Sequence, residues 1–307
     1  MPNLLAHRLL IELSTADLEI DEHAKSVLLI ATQGPDPLFY YGLMPWRSMH
    51  LLAAKKKYGS KIHHTNGEKY FTALFNSYDK IDDQEQKEIF LAFIVGQYLH
   101  KVLDKYAHPY VYYQSGFNDE GRLKGVYHYE HANFESEIDS CLAKKYEIIN
   151  FVGHTQDALK LDKKLINAIN RPLKNAIKEM FNARVSKRYF SNSLKNMISM
   201  QKLANKKIIR KLTGKKSMFN ALYTPTNCNG DPLNLEKNDW YHPVTKEKHN
   251  ESFIELLEQA KAEAEVVLND YKKGLINKEY ILSRLGDLNY NGLKVGEKLT
   301  YWKRKGE

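Results

Sequence analysis

The amino-acid sequence predicts an all-α fold. Apolar side chains recur at helical spacing along most of the 307 residues. Helix-start signals, a Ser or Thr followed three residues on by an acid, stand before several of those stretches. Strand signals are sparse, with VYYQ at 111–114 the candidate exception, and no segment repeats.

Residues 3–13 read as a helix with one apolar face. A second follows over 16–31, with Ser14 and Asp17 spaced as a capping box. GPDPLFYYG, residues 34–42, holds two prolines and two glycines, which stop a helix. Residues 44–57 fit a helix again. Thr65 and Glu68 make another capping-box pair ahead of Tyr70, Phe71, Leu74 and Phe75. The longest helical candidate runs from Asp82 to His108 and is ended by Pro109. Its centre, Ile89–Val95, is apolar all round, the mark of a helix buried on every side. Three glycines make 114–127 a loop. From His131 to Lys145, Phe134, Ile138, Cys141 and Leu142 form one apolar stripe. Residues 163–216 read as two or three helices and 224–250 as a long loop. Ser252 and Glu255 then cap a helix with Phe253, Leu256, Leu257, Ala260, Ala264, Val267 and Tyr271 on one side.

Length and composition fit one domain over 1–307, or two: a helical core over 1–150 carrying the chemistry, and a basic helical remainder over 151–307. No apolar run approaches the ~20 residues of a membrane span. The opening MPNLLAHRLL shows no signal-peptide pattern. Cys141 and Cys228 are far apart and form no CxxC, which excludes a disulfide scaffold and a Cys-rich metal module. These observations predict a cytoplasmic, reducing setting, membrane-peripheral at most. The formal charge is +9, yet residues 163–216 hold sixteen Lys+Arg and one acid, Glu179. That window fits a solvated face, an anionic membrane surface at about 1 kcal/mol per cation, or a nucleic-acid groove.

The chemistry concentrates elsewhere. His100, Asp104 and His108 step by four along the buried helix, so they project from one face and rise about 6 Å per step. The outer histidines are then about 12 Å apart, too far to share one ion, and a central carboxylate suits a site with more than one metal. His131 and Glu135 repeat the i, i+4 spacing of helical zinc sites. Asp36 is held between two prolines, and one of His63 and His64, with a lean to His63, can add a ligand. His7 lies near the start of the first helix.

In order, GPDPLFYYG, the histidine pair before NGEKYF, GQYLHKVLDKYAHPYVYY and HANFESEID resemble the zinc-dependent phospholipase C family, as does NDWYHPVTKEKHNESF at 238–253. The resemblance covers residues 1–150 best. It implies a helical bundle with two zinc ions and up to three. By position, Asp36, one of His63 and His64, His100 and Asp104 resemble the ligands of one ion, and His108, His131 and Glu135 those of a second. His7 and Asp104 would contribute to a third. The short gap between Asp36 and the histidine pair is more like the catalytic region of glycosylphosphatidylinositol-specific phospholipase D. Secreted members bind the third zinc through an N-terminal Trp, where this chain has Met-Pro.

The resemblance implies hydrolysis of a phosphodiester, with phospholipid cleaved to diacylglycerol and a phosphorylated headgroup. Asp36 would double as a general base or water-orienting group. Tyr40, Tyr112 and Tyr127, among other aromatics near the ligands, can cradle a quaternary ammonium or simply form core. Two rivals remain: a zinc nuclease gripping nucleic acid through the basic window, and a non-catalytic basic module with a residual metal site.

Overall fold

A computed structural model of the chain describes residues 4–42, 58–148, 151, 153, 155–159 and 162–303. The helix expected over 44–57 lies outside the described residues.

Helices dominate, as the periodicity predicts. They are α1 (Leu4–Ser14), α2 (Glu22–Ala31), α3 (Glu68–Tyr78), α4 (Gln84–Ser115), α5 (Val126–Lys145), α6 (Lys163–Phe181), α7 (Tyr189–Ala204), α8 (Lys207–Thr213), α9 (Met218–Ala221), α10 (Phe253–Lys272) and α11 (Lys278–Arg284). A short helix over 58–63 carries His63, and a 3-10 turn spans Asp36–Tyr40. Among the described residues the only sheet is β1 (Trp240–Tyr241) antiparallel to β2 (Lys248–His249), inside the segment expected to be loop.

Helix α4 is the axis of the molecule. Its Ile89–Val95 centre is buried on nearly all sides, with only Leu91 reaching partly to solvent. Helices α2, α5, α6 and α10 pack around it. One contiguous core runs from Leu4 through Leu173 and Phe253 to Tyr290, so both halves of the chain contribute to it. Helix α6 turns Leu165, Ile169, Leu173 and Ile177 inward and Lys163, Lys164, Arg171 and Lys178 to solvent.

Several local expectations are corrected. Helix α2 starts at Glu22 rather than 16, because the Asp21 side chain accepts from the Ala24 N–H and sets the cap there. Ser14 instead lies buried at the end of α1. Thr65 and Glu68 form no capping box: Gly67, in the left-handed region, precedes α3, and Asn66 accepts from the Glu68 N–H. Pro109 does not end α4, and VYYQ is helix rather than strand. The proline frees the Lys105 carbonyl, and the freed turn is covered by Gly292, where a Cβ would lie 2.5 Å from the Lys105 oxygen and 2.8 Å from the Pro109 ring. Burial of Val111, Tyr112 and Tyr113 carries the helix on to Gly116. The Ser252–Glu255 capping box forms as expected.

The cysteines are also corrected. Cys141 of α5 and Cys228 are joined by a disulfide, with Cα atoms 4.9 Å apart. Ser136 and Ser140, on the same helix, donate to the carbonyls of Ala221 and Pro225. Sequence separation hid this seam, which three covalent or polar links hold shut. Such a bond persists in oxidising surroundings and is rare in a reducing cytosol. No helix among the described residues is long and apolar enough to cross a membrane.

Candidate metal centre

Three turns of α4 present His100, Asp104 and His108 to one side, all buried. Helix α5 brings His131 and Glu135 from one flank, and α1 brings His7 from another. Asp36 enters from the 3-10 turn after Gly34. Gly34 has φ +58°, and a Cβ there would lie 2.2 Å from the His100 ring, so only glycine lets the chain pass over that imidazole. Helix α1 is held in place by Asp139 of α5, whose carboxyl accepts the Leu5 and Ala6 N–H groups at 2.9 Å each. Burial pushes the Asp139 carboxyl up to about 8, against the pull of those two donors.

The predicted residues converge into three groups, each able to hold a metal ion: Asp36–His63–His100, His108–His131–Glu135 and His7–His100–Asp104. Asp104 belongs to the last and lies within 4 Å of a histidine of each of the other two. Its Oδ2 is 3.0 Å from His100 Nε2 and 3.9 Å from His63 Nε2. Its Oδ1 is 3.4 Å from His7 Nε2 and 3.8 Å from His108 Nδ1. His63 Nε2 is 2.9 Å from Asp36 Oδ1, and His131 Nε2 is 3.1 Å from Glu135 Oε1. His100 and His108 fall in separate groups, as their axial separation predicts. The tandem pair is also resolved: His63 is buried in the cluster, whereas His64 is exposed and bonded through Nδ1 to the Ser60 carbonyl.

An outer layer fixes the rings. His63 Nδ1 donates to the Gly59 carbonyl at 2.9 Å, His100 Nδ1 to Thr32 at 2.9 Å and His108 Nδ1 to Tyr290 at 2.6 Å. His131 Nδ1 lies 3.3 Å from Ser115 Oγ, whose own hydrogen goes to the Val111 carbonyl. Each bond directs Nε2 inward and sets the tautomer a metal ligand needs. The backbone N–H of Tyr290 also donates to the His63 carbonyl. Tyr290 therefore clasps two groups at once. Sequence reasoning missed it; the turn-forming NYNG at 289–292 is its signal, though not one that points to the centre.

Inner atoms of five of these residues lack hydrogen-bond partners. Asp36 Oδ1, His63 Nε2, His100 Nε2, both Asp104 oxygens and both His7 nitrogens are buried and unsatisfied. Leaving so many polar atoms buried and unpaired is costly, and a cation among them would relieve the cost, so the donor set fits a metal. Burial, helped by the His100 charge, pushes the His7 imidazole down to about 4. Burial opposes the Asp104 charge, but His100 and His108 hold that carboxyl well below its usual range. His100 has one inward nitrogen, which two groups share. An ion bound with Asp36 and His63 leaves the His7 group with His7 and Asp104 alone among the described residues.

A cavity of about 1060 Å³ opens onto the cluster through Asp36, His63, His108, His131 and Glu135. Its walls are mainly apolar and include Met197, Met200, Met218, Leu293, Val295 and Leu299. Tyr40 and Tyr112 line it; the Tyr112 ring sits 4.8 Å from His131, with its hydroxyl donating to Asn291. Tyr127 does not reach it and packs edge-on against Trp302 instead. Tyr127 lies in the first turn of α5, and Trp302 of the C-terminal segment packs on it there. In comparisons with known proteins, the chain matches no family model, no curated sequence and no solved structure.

Proposed function

We propose that this chain is a zinc-dependent phosphodiester hydrolase of the phospholipase C type. The observation that carries the reading is the gathering of three buried His/Asp/Glu groups, two of which reach one largely apolar cavity. Imidazole and carboxylate donors in this mixture suit zinc. Bound zinc supplies a water acidified to about pKa 7 and offsets charge on phosphoryl oxygens. Asp36, fixed by the 3-10 turn and paired with His63, orients the attacking water and takes its proton. Glu135 and Asp104 hold the negative counter-charge of the site, and the outer carbonyls keep the histidines in register. The water oxygen would bond to phosphorus as the bond from phosphorus to the glycerol oxygen breaks, and the proton taken by Asp36 would pass to that oxygen, which leaves as diacylglycerol. The methionine and leucine walls support a lipid over nucleic acid, whose polyanionic backbone gains nothing from them. The disulfide supports an oxidising compartment.

The test pairs metal analysis with a substrate panel: phospholipid micelles, a soluble monomeric phosphodiester and single-stranded nucleic acid. Phospholipid cleavage lost with a chelator and restored by zinc is the expected result. Cleavage of nucleic acid alone overturns the lipid assignment in favour of a nuclease. Metal-loaded protein inert on all three overturns the enzyme reading.

A further inference from the structure

Within the basic window, one part is unlike the rest. Helix α6 spends its cations on the outer face of an amphipathic helix whose apolar side is buried. Helix α8 has no fully buried residue. Its Ile208 is 66% exposed and its Leu212, one turn on, 78% exposed, the two most exposed large apolar side chains described. Lys206, Lys207, Lys211 and Lys215 surround them, all exposed, and no acid occurs from Lys202 to Met218. Arg210 is different: its guanidinium lies 3.7 Å from the Tyr223 ring and donates to the Ala204 carbonyl.

This tip is anchored rather than loose. The Asn220 amide donates to the carbonyls of Arg210 and Gly214, and Lys216 pairs with Glu130. Helix α9 begins at Met218, which lines the cavity over the metal centre, as do Ala221 and Leu222. The helix that carries the exposed apolar pair thus packs against one that lines the cavity.

We propose that residues 206–218 dock the protein on an anionic lipid surface, with Ile208 and Leu212 entering the interface and the lysines facing headgroup phosphates. The proposal rests on the phospholipase reading for its purpose but not for its test. Charge complementarity selects the occupant: paired cations and aliphatics are what an interfacial helix needs. Nucleic acid would use the cations but leave both aliphatics in water, and residues 206–218 contain no aromatic ring for base stacking.

The experiment measures partition onto vesicles of phosphatidylcholine with phosphatidylglycerol, by flotation at low salt. Lys207→Gln/Lys211→Gln/Lys215→Gln should weaken binding about a hundredfold, at about fivefold per cation. Ile208→Ser/Leu212→Ser should cost at least tenfold and leave zinc content and hydrolysis of a soluble phosphodiester unchanged. A Leu212→Trp probe should shift its emission to the blue on anionic vesicles and not on phosphatidylcholine alone. Lys163→Gln/Lys164→Gln/Arg171→Gln on α6 should bind like the parent. The proposal is overturned if the serine pair binds like the parent, if the emission of the Leu212→Trp probe does not move, or if the α6 variant loses as much. Failure of the parent to cleave any phosphodiester would sink the catalytic reading while leaving the partition result to stand by itself.

Discussion

Opening the Cys141–Cys228 bond should be the most damaging single change outside the metal centre. The disulfide joins residues 87 apart in sequence. In the chain-entropy account, a closed loop of that length removes about 15 cal/mol/K from the unfolded ensemble, or about 4.6 kcal/mol at 25 °C. The bonds from Ser136 and Ser140 to the 221–225 carbonyls survive the change, so the native seam should persist and the loss should fall on the unfolded side. For a chain of this size about 2 °C per kcal/mol is expected, giving a fall of roughly 8–10 °C in Tm for Cys141→Ala/Cys228→Ala. Calorimetry with and without a phosphine reductant checks it, with thiols titrated in both samples. A fall under about 2 °C, in protein that gains two titratable thiols on reduction, would refute the reasoning. Two free thiols before reduction would refute the pairing itself.

Asp104→Asn should cut metal content and lower turnover more than about a hundredfold while leaving far-ultraviolet dichroism nearly unchanged, because this carboxylate lies within 4 Å of His7, His63, His100 and His108; normal turnover would remove Asp104 from the site. His63→Ala should lose at least one ion per chain by elemental analysis, whereas His64→Ala should lose none. Acidification should release metal in steps. Burial pushes His131 down to about 4, so it stays neutral to low pH. His100, although burial acts the other way, is raised by Asp104 and Asp36 and captures a proton first. Since ligand imidazoles must be neutral, the Asp36–His63–His100 group should empty at higher pH than the His108–His131–Glu135 group. Dialysis at stepped pH with metal analysis checks the order, and a single release step contradicts it.

What was legible in the sequence depended on local spacing. The i, i+4 steps of His100–Asp104–His108 and His131–Glu135 fix shared faces because helix geometry is local. The apolar Ile89–Val95 run marked the axis for the same reason. What was not legible depended on distant partners. Pro109 reads as a stop until Gly292 is there to cover the carbonyl it frees. Two cysteines 87 apart carry no spacing signal. The choice of His63 over His64 is made by which neighbour turns inward at the end of a short helix. Asp139 gives no sign in the sequence that it receives the first turn of α1. Tyr127 sits at ligand spacing on α5 yet faces Trp302, because spacing says nothing about what covers a helix end.

The Tyr290 clasp has a consequence for metal affinity. Every ligand-type residue of the centre lies between His7 and Glu135, so the whole set exists once the first half of the chain has been made. The residue that bridges the His63 carbonyl and the His108 ring arrives near the other end. It is seated in the notch at Pro109 by a glycine with no room for a side chain. The ligands of the first half are thus held in register by a turn made last. The cavity still leads to them, so that turn sets how firmly His63 and His108 are aimed rather than whether an ion can leave. Loosening it with no ligand altered should therefore weaken metal affinity.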